Sequence, residues 1–180
     1  MATEPIKIKM FGMDVDGVLT DGGIGYGDGN LEIKRFHAHD GMGITLLRLA
    51  GVTPFLITGR RCAAVDRRGR ELGVTEIHQG VEDKLACLKE LAARHAAGLG
   101  EIAFVGDDLP DLEVLRSVGY PVAVANARQE IKQAARFVTS ARGGDGAVRE
   151  AIEWALRLNG QWADLVRAFH ARRRPGDASG

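Results

Sequence analysis

Several features that mark whole classes of protein are scarce or missing in this sequence. Cys62 and Cys87 are its only cysteines, too few for a disulfide framework, which suits a reducing compartment. No apolar run reaches the roughly 18 residues that a membrane helix needs, and the N-terminus shows no signal-peptide pattern. Basic and acidic side chains both number 24, so charge favours neither nucleic acid nor an anionic membrane as partner. We therefore expect a cytoplasmic protein that binds neither a membrane nor a nucleic acid.

What the sequence does contain is a regular alternation of short apolar runs with helical patterns. With 180 residues and 45% hydrophobic content, the chain can bury a core of its own. The alternation predicts an α/β fold, a Rossmann-like parallel sheet with helices on both faces. We expect a single domain over residues 1–172 and a flexible tail over residues 173–180.

A glycine-rich segment, about residues 23–36, interrupts this alternation. Asp28 and Gly29 are typical of a two-residue turn, which predicts a short β-hairpin. An isolated hairpin is marginally stable, so we expect a neighbouring subunit to cover its apolar side chains. The alternative is a hairpin folded back on its own domain. The apolar side chains are Ile24, Tyr26, Leu31, Ile33 and Phe36.

Two apolar runs end in acidic clusters. Asp14 and Asp16 close the first run, and Asp107, Asp108 and Asp111 follow a later one. Carboxylates at the end of a buried strand cost free energy unless something pairs with them, and a hard cation with oxygen ligands is a suitable partner. A lone pair of aspartates would fit a solvated turn equally well. Their repetition after a second strand favours the cation.

Polar residues also follow other predicted elements. Thr58, Gly59 and Arg60 come directly after an apolar run, and Lys84 begins a helical pattern. Because the carboxyl ends of parallel strands share one edge of a sheet, these residues and the acidic clusters could converge there. Simpler readings remain open: Thr58 as a helix N-cap, Lys84 as a solvated lysine, and Asp108 or Asp111 as a cap of the following helix.

These segments resemble, in order and spacing, the four motifs of the haloacid dehalogenase superfamily of phosphatases. Any one motif alone would be weak, but the order of four is specific. The resemblance covers roughly residues 6–158 and is greatest to the branch that hydrolyses 3-deoxy-D-manno-octulosonate 8-phosphate (KDO 8-phosphate). The matching segments are 14–18 (DVDGV), 58–60 (TGR), Lys84 and 106–111 (GDDLPD), with 19–22 (LTDG), 40–43 (DGMG) and 143–150 (GGDGAVRE) typical of the branch.

The resemblance implies a magnesium-dependent reaction through an aspartyl-phosphate. Asp14 would be the nucleophile, and Asp16 would act as general acid and base. Magnesium would be held by the side chains of Asp14 and Asp107 and by the backbone carbonyl of Asp16.

The remaining site residues would bind or orient. Thr58, Gly59 and Lys84 would hold the phosphoryl oxygens. Asp108 and Asp111 would orient a water molecule or Lys84.

The substrate implied is a sugar-acid phosphate. Its carboxylate would suit Arg60, because guanidinium groups bind carboxylates in bidentate fashion. Arg60 is equally compatible with a nine-carbon keto-sugar acid 9-phosphate, so the choice of KDO 8-phosphate, and with it a place in lipopolysaccharide synthesis, rests on the overall resemblance. The resemblance also implies a homotetramer, with the short hairpin replacing a cap domain and closing the site.

Two alternatives come from other classes of protein. A signalling receiver domain also combines acidic residues, threonine and lysine, but it carries its acceptor aspartate on the third strand, where this chain has Thr58. A non-catalytic oligomerisation domain would not need its acidic residues and lysine intact. Asp14, Asp16, Lys84 and Asp107 are all present, which favours the enzyme.

Overall fold

The computed structural model describes residues 7–171, and its main feature is a parallel sheet with helices around it. The predicted tail over residues 173–180 lies outside the described residues. Within 7–171 there are eight strands: β1 (Met10–Met13), β2 (Gly25–Tyr26), β3 (Glu32–Ile33), β4 (Thr53–Thr58), β5 (Glu76–Gln79), β6 (Ile102–Gly106), β7 (Tyr120–Ala123) and β8 (Phe137–Val138).

Six strands form the main sheet in the order β5-β4-β1-β6-β7-β8, and every neighbouring pair is parallel. β1 lies at the centre, with Gly12 opposite Phe55 on one side and Phe104 on the other. Since all six strands run the same way, the loops after β1, β4 and β6 lie at one edge. The expected Rossmann-like fold is confirmed.

Within the described residues, seven α-helices connect and flank the strands. Parallel strands are joined by right-handed crossovers, so the helices change face only where the chain reverses its direction across the sheet. Accordingly α1 packs against α6, while α4 packs against α3 and α5. The helices are α1 (Ala38–Leu49), α2 (Ala63–Glu71), α3 (Lys84–Arg94), α4 (Leu112–Ser117), α5 (Gln129–Ala134), α6 (Ala147–Leu158) and α7 (Trp162–Ala171). Among the described residues, none of these helices has the length and apolarity to cross a membrane.

The hairpin is present, but its predicted two-residue turn is wrong. β2 and β3 pair through Gly25 with Ile33 and Tyr26 with Glu32, so five residues connect them. A 3₁₀ turn fills this connection, and only Gly29 in it has a positive φ, of 67°. A tight two-residue turn of the predicted kind needs positive φ at both central positions, which Asp28 does not adopt.

The core is closely packed at the centre of β1. Gly12 lies between the rings of Phe55 and Phe104, whose centroids are 6.2 Å apart. A Cβ at Gly12 would overlap both rings, which are fully buried. The close packing therefore depends on the missing side chain, and it fixes the strand whose end carries Asp14.

Gly12→Ala is expected to lower the free energy of unfolding by about 1–3 kcal/mol, because the added methyl overpacks the core. Gly100→Ala is the matched control, since a Cβ there meets nothing within 4 Å. The control should stay within about 0.5 kcal/mol of wild type in urea unfolding at matched protein concentration. Equal effects of the two substitutions would contradict this account of the core.

Candidate active site

A cavity of about 420 Å³ opens at the carboxyl edge of the sheet. Its lining includes all the residues that the sequence analysis assigned to the site, brought together from the ends of β1, β4 and β6 and the start of α3: Asp14, Asp16, Thr58, Gly59, Arg60, Lys84, Asp107, Asp108 and Asp111.

Lys84 is the central cation of the site. Its ammonium donates hydrogen bonds to Asp14 Oδ1 at 2.8 Å and to Asp111 Oδ1 at 2.7 Å, and all three side chains are buried. Burial alone would lower the pKa of Lys84, but attraction to the two carboxylates outweighs it and raises the pKa. Lys84 is the first residue of α3, after the N-cap Asp83, so it is a buried ion-pair partner and not a solvated lysine.

Three carboxylates crowd together beside Lys84. Oxygen atoms of Asp14, Asp107 and Asp111 all lie within 4.8 Å of one another. Burial, and then the charge of Asp111, raise the pKa of Asp14 to about 6 against the pull of Lys84. Burial, and then the charges of Asp14 and Asp111, raise the pKa of Asp107 to about 7. An excess of hard oxygen donors over cations fits a divalent cation such as Mg²⁺.

The Asp16 side chain has different partners from those of the Asp14 side chain. Its carboxylate forms an ion pair with Lys34 of the hairpin segment, and Oδ2 is 3.9 Å from Arg60 Nε. Asp16 is therefore outside the carboxylate cluster, which consists of Asp14, Asp107 and Asp111. The backbone carbonyl of Asp16 as a magnesium ligand stays a prediction.

Glu32 and Lys34 were missed by the sequence analysis. Glu32 Oε1 lies 3.0 Å from Lys34 Nζ and 3.3 Å from Arg60 Nη2, so the hairpin reaches the mouth of the site. A period-two pattern could have found them, because residues two apart on a strand share a face. Leu31 and Ile33 then fall on the opposite face, where they are exposed.

The loop after β4 presents Thr58, Gly59 and Arg60. Thr58 is the buried last residue of β4, and its carbonyl accepts a hydrogen bond from Val81 N at 3.1 Å. The alternative of Thr58 as a helix N-cap is wrong, because α2 begins at Ala63 with Cys62 as its N-cap. Thr58 lines the cavity instead.

The loop after β6 is organised by Asp111. Its Oδ2 accepts a hydrogen bond from Asp107 N at 3.0 Å while Oδ1 accepts from Lys84. A Cβ at Gly106 would lie 2.6 Å from Asp111 Cβ, so glycine allows this close approach. Asp108 caps the short 3₁₀ turn by accepting from Leu109 N, which is the simpler role considered for it.

Comparison with known proteins agrees with this geometry. A family described as haloacid dehalogenase-like hydrolases matches residues 68–152. The KDO 8-phosphate phosphatase of Yersinia pestis is 40% identical over 150 residues, covering 83% of this chain and 80% of that protein. The chain belongs to this family of haloacid dehalogenase-like phosphatases. The Escherichia coli K12 enzyme of the same name is 39% identical over 155 residues, covering 86% and 82%.

Solved structures of family members share the fold. The Moraxella catarrhalis KDO 8-phosphate phosphatase, in complex with magnesium, phosphate and KDO, superposes with a TM-score of 0.87 at 40% identity, covering 90% of this chain and 93% of that one. The cobalt-bound Haemophilus influenzae phosphatase gives 0.86 at 34% identity, covering 91% and 97%. The resemblance drawn from the motifs is confirmed, and the family's activity sets aside the receiver and non-catalytic alternatives.

Magnesium should stabilise this phosphatase more at high pH than at low pH. Asp14 and Asp107 have pKa values above the usual 3.8, so between about pH 4 and 7 the metal-free folded state binds more protons than the unfolded state. Its stability therefore falls as pH rises through that window. Mg²⁺ competes with those protons, so the rise in Tm on adding it should be small at about pH 5 and large at about pH 8.

Scanning calorimetry after EDTA treatment, with and without Mg²⁺, measures this difference. Potassium chloride at matched ionic strength is the control for screening. A Tm rise that does not depend on pH would contradict proton competition at these carboxylates.

Proposed function

We propose that this protein is a cytoplasmic, magnesium-dependent phosphatase that hydrolyses KDO 8-phosphate to KDO and phosphate in lipopolysaccharide biosynthesis. The observation that carries the proposal is the Asp14 carboxylate, held at 2.8 Å by Lys84 beside Asp107 and Asp111, in a cavity whose rim bears Arg60. The similarity to KDO 8-phosphate phosphatases favours this substrate over a nine-carbon keto-sugar acid 9-phosphate.

Asp14 is the nucleophile of the proposed reaction. One of its oxygens attacks phosphorus, the bond to the sugar oxygen breaks, and an aspartyl-phosphate results. Lys84 fixes the direction of this carboxylate through Oδ1 and offsets part of the negative charge that the phosphate brings. A bound magnesium ion would be held by Asp14 and Asp107 and would offset the repulsion between carboxylate and phosphate.

Asp16 transfers the protons. It protonates the departing sugar oxygen in the first step and takes a proton from the attacking water in the second. Its side chain lies at the cavity wall and outside the carboxylate cluster, which supports a role separate from the metal. Thr58, the N–H of Gly59 and Lys84 bind the phosphoryl oxygens, and all three residues line the cavity.

Arg60 binds the carboxylate of the sugar acid. Its side chain is 42% exposed at the cavity mouth, and one of its present partners, Glu32, is itself a carboxylate at 3.3 Å. An incoming substrate carboxylate would offer the same kind of partner. Arg60 thus selects for acidic sugars and leaves the phosphate chemistry to the buried residues.

Asp14→Asn should abolish turnover, because an amide neither attacks phosphorus well nor carries the charge that magnesium needs. We expect kcat to fall by roughly 1000-fold or more in a variant that still folds, because Lys84 keeps its hydrogen bond to Asp111. Asp164→Asn makes the same chemical change on α7, where the side chain is 74% exposed, and should leave kcat unaltered. Retention of more than about a tenth of wild-type kcat by Asp14→Asn would refute the assignment.

Arg60→Ala should lower kcat/KM for KDO 8-phosphate by roughly 10- to 1000-fold, since the substrate carboxylate loses its partner. Hydrolysis of p-nitrophenyl phosphate, which has no carboxylate, should fall much less. Arg61→Ala is the matched control, because Arg61 is the next residue and does not line the cavity. Equal losses on both substrates would place Arg60 on the phosphate or in folding.

The protein is proposed to form a homotetramer through the hairpin. The hairpin charges pair with Asp16 and Arg60 of its own chain, yet the apolar side chains of Ile24, Leu31 and Ile33 are 49%, 58% and 54% exposed. Apolar groups so clustered and exposed favour burial by another subunit.

Leu31→Ser combined with Ile33→Thr should therefore produce a smaller species in light scattering, because these positions lose the apolar surface that a neighbour buries. Leu49→Ser combined with Leu158→Ser is the control, since those leucines are 44% and 47% exposed on other elements. A hairpin variant that keeps the wild-type mass would refute assembly through this surface.

A further inference from the structure

The motif at residues 143–150 has no part in the chemistry described above, but it lies directly behind the residues that carry Asp16. We name residues 15–21 the Asp16 loop and residues 139–146 the brace loop. Gly144 N donates a hydrogen bond to Val18 O at 3.1 Å, joining the two loops. A Cβ at Gly143 would overlap the carbonyl of Gly17, and one at Gly144 would overlap Asp21 N. The loops are therefore in backbone contact, with no side chain between them.

The Asp16 loop is held on its other side as well. Gly17 adopts a φ of 92°, and a Cβ there would overlap the carboxylate of Asp107. Gly17 thus lies between Asp107 and Gly143. A shift of the brace loop toward Gly17 therefore has to move the backbone next to Asp16.

Glu150 determines where the brace loop lies. Its carboxylate accepts hydrogen bonds from Ser140 N at 2.9 and 3.0 Å and from Ala141 N at 2.9 Å. Asn126 Oδ1 accepts from Gly143 N at 2.7 Å. Two side chains from outside the loop therefore satisfy three of its backbone N–H groups, and neither side chain lines the cavity.

Glu150 is itself well anchored, because it lies in the first turns of α6. The neighbouring Arg149 N donates to Oδ1 of the buried Asp40 at 2.8 Å, which ties the start of α6 to α1. Gly43 of α1 allows close packing, since a Cβ there would lie 3.0 Å from Ile152 Cδ1. The two branch-specific motifs, 40–43 and 143–150, thus form one connected support.

We propose that Glu150 is a positioning residue for Asp16. Through the brace loop it sets the backbone next to Asp16, and thereby the distance from the Asp16 carboxyl to the sugar oxygen that departs. The inference rests on the acid–base role of Asp16 in the proposed function. Proton transfer is sensitive to displacements of about 1 Å, so a relaxed loop would slow catalysis without touching substrate.

Two substrates with different leaving groups distinguish a positioning role of Glu150 from a purely structural one. Departure of a sugar oxygen needs a proton from Asp16, whereas p-nitrophenolate departs without one. Since kcat/KM reports the steps up to that departure, Glu150→Ala in the magnesium-loaded enzyme should lower kcat/KM for KDO 8-phosphate by roughly tenfold and for p-nitrophenyl phosphate by less than about threefold. Glu150→Gln keeps one acceptor oxygen, so its kcat/KM for KDO 8-phosphate should lie between those of wild type and Glu150→Ala.

The matched control is Glu153→Ala, in the same helix. Its carboxylate pairs with Arg149 and Arg157 and does not contact the brace loop, so both substrates should react nearly as in wild type. Should Glu150→Ala fail to fold, Asn126→Ala removes the other acceptor of the brace loop and should show the same preference between substrates.

A double-mutant cycle with Asp16→Asn tests whether Glu150 acts through Asp16. Asp16→Asn alone should show the same preference between leaving groups, and adding Glu150→Ala to it should cost little more, because both act on one proton transfer. Additive losses, or equal losses of Glu150→Ala on both substrates, would overturn the positioning role and leave the proposed function intact. An Asp16→Asn variant without the preference would overturn the role of Asp16 and this inference with it.

Discussion

A buried ammonium between two carboxylates is the interaction on which the site depends. Lys84 joins Asp14, at the end of β1, to Asp111, in the loop after β6, and it does so from the start of α3. Removing one partner of a buried pair is costly, about 3–5 kcal/mol, because it leaves an uncompensated charge, so each of the three groups fixes the others. With Asp107 beside them, three carboxylates face one ammonium. The remaining negative charge is what a divalent cation would balance, and the same ammonium is then available to a phosphate.

Much of the fold and site could be predicted because a parallel sheet imposes convergence. Asp14 and Asp107 each follow a strand and Thr58 ends one, so recognising strands was enough to place all three at one edge. Assigning Lys84 to the site required the order of the four motifs, since a single lysine at the start of a helix does not by itself indicate a functional residue. The alternation of strands and helices was equally strong evidence for a parallel sheet, because such a sheet needs helices to cover it.

Side-chain directions and loop geometry could not be predicted from the sequence. The backbone at Asp16 leaves helical angles, with ψ at 113°, and sends its carboxylate toward Lys34, whereas Asp111 turns inward to the cluster. Neither direction follows from spacing along the chain. The prediction of the hairpin turn was wrong for a related reason. Asp28 and Gly29 are compatible with several kinds of turn, and β2 and β3 share only two residue pairs, too few to impose the tightest turn. The contact between the brace loop and the Asp16 loop joins residues more than 120 positions apart, which no local pattern can encode.

The central claim, that Asp14 takes up the phosphoryl group and Asp16 then activates water, can be tested most directly by trapping the intermediate. Asp16→Asn should react with labelled p-nitrophenyl phosphate, whose leaving group needs no proton, yet should hydrolyse the product of that step slowly. Rapid acid quenching should then find label on the protein, released by hydroxylamine and mapped by mass spectrometry to the peptide containing Asp14. Label on another residue, or phosphate release with no labelled protein at any time, would contradict the account.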